Sequence, residues 1–177
     1  MFHTQAIVLT TRPYREHDEL VSLFTKDFGK RTLLVKGAKK PLSKLAPFLH
    51  APALIACSFV EGRARPILTS ADIVHKLAPR DFSSLRTLGA FMELCDALLY
   101  EGQKDDDFWH MLGGVMQECE HRARQGVAMN EGAYDEWLWR TLVTLGMCPP
   151  PTAGHKTRLH LADILSVYSP IHPFPSN

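Results

Sequence analysis

Five short β-rich runs follow one another within the first 76 residues, at His3–Thr11, Leu20–Asp27, Thr32–Gly37, Ala53–Glu61 and Pro66–His75. They are rich in Val, Ile, Leu, Thr and Phe and alternate partly with period two. No helix-length crossover lies between them, so a parallel sheet is the wrong solution and a small barrel or sandwich the right one. Turn signals separate the runs: Arg12-Pro13, Phe28-Gly29-Lys30, the stretch from Gly37 to Pro41, and Glu61-Gly62-Arg63.

After Pro79 the period becomes helical. Leu85, Leu88, Phe91, Met92, Cys95 and Leu98-Leu99 recur at three- and four-residue spacing. Asp81 or Ser83 can cap this helix, which should stop near Gly102. A second helix is expected from Asp105–Asp107, whose charges suit a positive helix end, to Gly126. A third is expected from Glu131 to Leu145, ended by Gly146 and Pro149–Pro151. Leu159–Tyr168 can make one more helix, and Pro170, Pro173 and Pro175 mark a loose tail. The expected fold class is therefore α+β, all-β then all-α. A five-stranded OB-fold barrel over residues 1–79 precedes a small helical domain over 80–168 and a tail over 169–177.

Charge divides along the same line. Up to Arg80 there are 13 Lys and Arg against 6 Asp and Glu; from Asp81 onward there are 7 against 13. Halves of opposite sign suggest two domains, one of them suited to an anionic partner. Segregation for solubility alone is the plainer alternative. No apolar run approaches the roughly 18–20 residues of a membrane span. The start, MFHTQAIVL, has neither a basic region nor a long apolar run, so the expected compartment is the cytoplasm. Cys57, Cys95, Cys119 and Cys148 are dispersed, with no CxxC pair to nucleate a zinc site.

The cations of the first third fall between and after the strands. Lys36-Gly37-Ala38-Lys39-Lys40 is the densest group, and Arg12, Arg15, Lys30, Arg31 and Lys44 extend it. Lysines on a glycine-bearing loop neutralise phosphates without reading bases. A solvated surface loop is the alternative. Tyr14 beside Arg12 and Arg15 can stack on an unpaired base, or can plug a barrel end. Phe48 and His50 can also stack, although packing suits Phe48 better. The acids Glu16, Asp18 and Glu19 can hold Mg²⁺, but neighbouring Arg12, Arg15 and His17 make local ion pairs the simpler role. His155, His160 and His172 lack recognised ligand spacing, so no metal site and no cofactor are expected. There is no phosphate-binding glycine loop, nucleophile elbow or paired-His motif, and no catalytic residue is assigned. Trp137 and Trp139 cannot share one helix face, so one of them should be partly exposed.

Three stretches carry a family resemblance: AIVLTTRPYREHDELVSLFTKDFGKRTLLVKGAKKPLSKL from Ala6, GAFMELCDALLYEGQKDDDFWHML from Gly89, and YDEWLWRTLVTLGMCP from Tyr134. In order and spacing they resemble RecO, the bacterial DNA-repair and recombination mediators, over residues 5–149. The resemblance implies an OB-fold followed by helices. It also implies binding to single- and double-stranded DNA, strand annealing, and help in loading RecA onto DNA coated with single-strand-binding protein. Implied partners are RecR and the acidic tail of single-strand-binding protein. That tail needs an apolar pocket rimmed by cations, for which Arg122, Arg124 and Arg140 are the candidates. Pairing of these arginines with Glu118, Glu120 or Glu136 is the alternative. Many members carry a four-cysteine zinc site in the C-terminal part; after Cys148 this chain has no cysteine. Two other functions stay open, a protein-only adaptor and a metal-dependent nuclease.

Overall fold

The computed structural model describes residues 1–49, 52–77 and 81–149. Five strands, β1 (Phe2–Pro13), β2 (Glu19–Thr25), β3 (Gly29–Val35), β4 (Ala53–Val60) and β5 (Ile67–Lys76), close into a barrel in the order β1-β2-β3-β5-β4. Every pairing is antiparallel except β3 with β5, which meet at Leu34 and Ile67. This is the OB-fold. A short 3-10 turn at Ala46–Phe48 lies between β3 and β4. Three helices follow: α1 (Phe82–Leu98), α2 (Asp106–Gln125) and α3 (Glu131–Thr144).

Each strand has an inner and an outer row. Inside the barrel, Val8, Val21, Leu23, Leu33, Val35, Ile55 and Phe59 form one buried cluster. The outer row of β1 and β2 supplies Ile7, Leu9 and Phe24 to a second cluster, shared with Leu88, Phe91, Met92, Cys95, Phe108, Leu112 and Trp137 of the helices. Barrel and helices therefore share a core. The sequence boundary after residue 79 falls within 78–80, outside the described residues, as do the expected helix at Leu159–Tyr168 and the tail. Of the residues at helical spacing, Leu88, Phe91, Met92 and Cys95 of α1 and Leu99 just after it are buried, but Leu85 is 45% exposed.

A bulge in β1 between Val8 and Thr10 reverses the alternation. Ile7 before it and Leu9 within it face the helices; after it Thr10 and Arg12 do, and both reach Asp96 of α1. The helix ends use short polar side chains, which satisfy amides that have no intrahelical acceptor. Asp81 accepts from the Ser84 amide at 2.7 Å and Asp105 from that of Phe108 at 2.8 Å. Asn130 accepts from the Ala133 amide at 3.2 Å, a cap the sequence reading did not identify. Gly126 closes α2 in the left-handed conformation.

The loop between α1 and α2 seals the part of the β3 edge that β5 does not cover. The Lys30 amide donates to the Gln103 carbonyl at 3.2 Å, and the Gly102 amide to the Lys30 carbonyl at 2.8 Å. The Glu101 carboxylate accepts from the amide and hydroxyl of Thr32, both at 2.9 Å. Gly29 makes this contact possible. Its φ is +66°, and a Cβ there would lie 2.0 Å from the Gln103 carbonyl oxygen. Gly29→Ala is expected to cost more than ~1 kcal/mol and to lift the loop. Urea unfolding and faster hydrogen exchange at the Gly102 amide would show it; unchanged exchange would refute the sealing role.

Candidate nucleic-acid interface

Two loops at the β1–β2 and β3–β4 connections are tied to each other by backbone geometry. The Gly37 amide donates to Asp18 Oδ1 at 2.8 Å, and the Lys39 amide to the His17 carbonyl at 3.0 Å. Lys39 Nζ donates to the Arg15 carbonyl at 3.1 Å. Gly37, at φ +66°, turns the chain so that Lys40 N–H reaches the Gly37 carbonyl at 3.1 Å. Asp18 is thus a loop brace in this structure, and with Glu16 and Glu19 it forms no metal-type group. A third loop, residues 61–66, meets β3 itself: the Leu34 amide donates to the Pro66 carbonyl at 2.8 Å.

These contacts bring together Arg15, Lys36, Lys39, Lys40 and Lys44, all exposed. Arg63 and Arg65 are exposed on the 61–66 loop. None of the seven is in an ion pair among the described residues. Arg63 and Arg65 were missed in the sequence. They stand on the loop between β4 and β5, which meets β3 at Leu34. Tyr14 is 41% exposed and does not plug the barrel; the Arg15 guanidinium lies 5.2 Å from its ring centroid. Phe48 packs against the barrel cluster, as its position suggested, while His50 lies outside the described residues.

Three cations from the sequence reading are placed differently. The Lys30 side chain is only 13% exposed and belongs to the junction with α1, where Nζ meets Asp96 Oδ1 at 2.9 Å and the carbonyls of Asp96 and Leu99. Its outward position on β3 faces a helix instead of solvent. Arg31 is half-buried, with its Nε buried and without a partner among the described residues. Arg12 is 69% exposed but its Nη2 lies 2.5 Å from Asp96 Oδ2. Burial opposes ionisation of Asp96, yet hydrogen bonds from Ser22, Lys30 and Thr10 and the Lys30 charge outweigh it. The carboxyl pKa is held below its ordinary value.

The helical arginines are all engaged. Arg122 bonds Glu118 at 3.0 Å, Arg124 bonds Glu120 at 2.5 Å, and Arg140 bonds both Glu136 and, at 3.2 Å, Glu118. Glu118 also accepts from the Trp137 indole at 3.3 Å, so it ties α2 to α3. Trp137 is fully buried and Trp139 half-buried, the division their spacing implied. The four cysteines are free and buried. Burial pushes the Cys57 thiol up to about 11 and, with help from Glu118, the Cys119 thiol up to about 12, so neither is a thiolate at neutral pH. His155, His160 and His172 lie outside the described residues. No described helix is long and apolar enough to cross a membrane.

The arrangement is a group of exposed cations at the barrel edge, none of them ion-paired among the described residues, suited to a polyanion. Comparison with known proteins points the same way. Residues 1–76 match the family model described as "Recombination protein O N terminal". The DNA repair protein RecO of Geobacter metallireducens is 33% identical over 120 residues, covering 66% of this chain and 49% of that protein. That of Moorella thermoacetica is 26% identical over 151 residues, covering 84% of this chain and 54% of its own length. That of Cutibacterium acnes is 24% identical over 152 residues, covering 84% and 62%. The chain thus spans half to three-fifths of the length of these relatives. Its barrel is matched from end to end by the family model for the N-terminal part of the RecO proteins, and the chain is similar to RecO proteins beyond it.

Proposed function

We propose that this protein is a DNA repair protein whose barrel edge binds the phosphate backbone of DNA. The observation that carries the reading is the joining of two loops bearing Arg15, Lys36, Lys39, Lys40 and Lys44, with no acidic partner among the described residues. Flexible point charges of this kind neutralise phosphates and read no base edges, so binding is largely independent of sequence and falls steeply with salt. Tyr14, exposed beside Arg15, adds a surface on which an unpaired base can stack.

Annealing follows from the same physics and needs no catalytic group. A basic edge lowers the repulsion between two polyanionic strands while their bases stay free to pair. The proposed role is that of a non-enzymatic recombination mediator in the cytoplasm that binds single- and double-stranded DNA. Work with RecR, with the acidic tail of single-strand-binding protein, and toward RecA loading belongs to the same proposal. Arg122, Arg124 and Arg140 would serve such a tail only by leaving Glu118, Glu120 and Glu136.

The test is fluorescence anisotropy of a labelled single-stranded oligonucleotide across a salt series. Each lost phosphate contact lowers the slope of log K against log salt by about 0.7, so replacing Lys36, Lys39 and Lys40 together by Ala should lower it by roughly 2. An unchanged slope in a folded triple variant would remove this loop as the contact. Absence of salt-dependent binding by the parent protein would leave the adaptor reading.

A further inference from the structure

We propose that Asp96 is a positioning residue for DNA binding: it holds the Arg12 guanidinium at the mouth of a groove between β1 and α1, where it meets a backbone phosphate. The inference rests on the DNA-binding reading of the barrel and extends it by giving helix α1 a part in the contact.

The Asp96 side chain is 5% exposed, and both its oxygens are occupied. Oδ1 accepts from Ser22 Oγ at 2.5 Å and from Lys30; Oδ2 accepts from Thr10 Oγ1 at 2.9 Å and from Arg12. Lys30 already matches the charge of Asp96. Its ammonium is nearly buried and is taken up by that carboxylate and two carbonyls. The charge of Arg12 is therefore surplus. It is not needed to neutralise the site, and its side chain reaches well into solvent, at 69% exposure against 13% for Lys30.

A guanidinium has five donors on a planar fork, and Arg12 uses one terminal nitrogen on Asp96. The remainder faces a groove of about 660 Å³. Arg12 stands at the end of β1, paired with Leu20, three residues before Arg15, whose carbonyl holds Lys39. The held guanidinium thus continues the line of loop cations. Fixing it in advance removes the loss of side-chain freedom that a free arginine would suffer on meeting a phosphate. Glu93 lines the same groove, so a guanidinium released from Asp96 has a competing carboxylate close by.

Two variants separate holding from mere charge. Lys30→Met with Asp96→Leu replaces the buried ion pair by apolar side chains and leaves the net charge unchanged. Arg12→Lys keeps the charge at this exposed position but loses the planar fork that lets one side chain hold Asp96 and also offer a phosphate a matched set of donors. Both are compared with Arg12→Gln by anisotropy on a labelled oligothymidylate across a salt series, with melting curves as the check of fold. Each is expected to lower the salt slope by about 0.7, as Arg12→Gln does, and adding Arg12→Gln to the Lys30/Asp96 pair should lower it no further. A parental slope in Arg12→Lys or in the folded Lys30/Asp96 variant overturns the proposal. So does a steeper slope, which would mean that Asp96 masks Arg12. Binding that responds to Lys36, Lys39 and Lys40 but not to Arg12→Gln sinks this inference alone; a parent protein without salt-dependent binding sinks the DNA reading with it.

Discussion

Asp96→Ala is expected to destabilise the protein by about 3–5 kcal/mol, the cost of leaving a buried charge without its partner. The charge left behind is Lys30, 13% exposed on the outer face of β3 and pressed against α1. Ser22 Oγ, itself buried, would lose its acceptor as well. Urea unfolding of the variant is the measurement, and a loss below about 1 kcal/mol would show that the network is dispensable. The Lys30→Met, Asp96→Leu pair should recover most of the loss, because it removes both charges at once.

The same residue sets a pH dependence with a definite sign. The folded pKa of Asp96 lies below the ordinary carboxylate value because its hydrogen bonds and Lys30 outweigh burial. Its contribution to stability is therefore complete above the unfolded carboxylate pKa of roughly 4. It is lost as the pH falls from there through the folded value. Asp96→Asn should flatten this acid branch of stability against pH while changing little of its shape at neutral pH. An unaltered acid branch would assign the loss to other carboxylates.

Phe24→Ala is expected to cost about 3–5 kcal/mol and to loosen the helices from the barrel. Phe24 is 1% exposed on the outer row of β2, with its ring centroid 4.9 Å from that of Phe108, edge to face, and 6.4 Å from that of Trp109. Little in α2 can move to fill the space without giving up its own packing. Hydrogen exchange should rise in α2 more than in β3, whose buried Leu33 and Val35 belong to the cluster inside the barrel. A uniform rise would mean that barrel and helices unfold as one unit regardless of this contact. A cost under about 2 kcal/mol would mean that the gap collapses.

Local chemistry made much of this architecture legible. The five strands are short, β-branched runs bounded by turn residues, and each was placed within about three residues of its observed ends. The α1 and α2 starts could be read because Asp81 and Asp105 cap by local hydrogen bonds, and the α2 end because Gly126 adopts a conformation that suits glycine. The lysines from Lys36 to Lys44 stood out because they are contiguous in sequence and therefore contiguous in space.

What the sequence by itself determined was thus the set of elements, their order, and the cationic character of the barrel edge, since each depends on residues within a few positions of one another. Tertiary structure decided which cations are free. Lys30 and Arg12 look like their neighbours in sequence, yet Asp96, 66 and 84 residues away, engages both. The β1 bulge that turns Thr10 and Arg12 toward α1 is a matter of pairing with β2, and the alternation pattern alone does not announce it. The contact of Leu34 with Pro66, which sets the loop bearing Arg63 and Arg65 against β3, closes the barrel across 32 residues of chain. A surface charge is a local property of the chain; whether it is unpaired depends on what the fold brings against it.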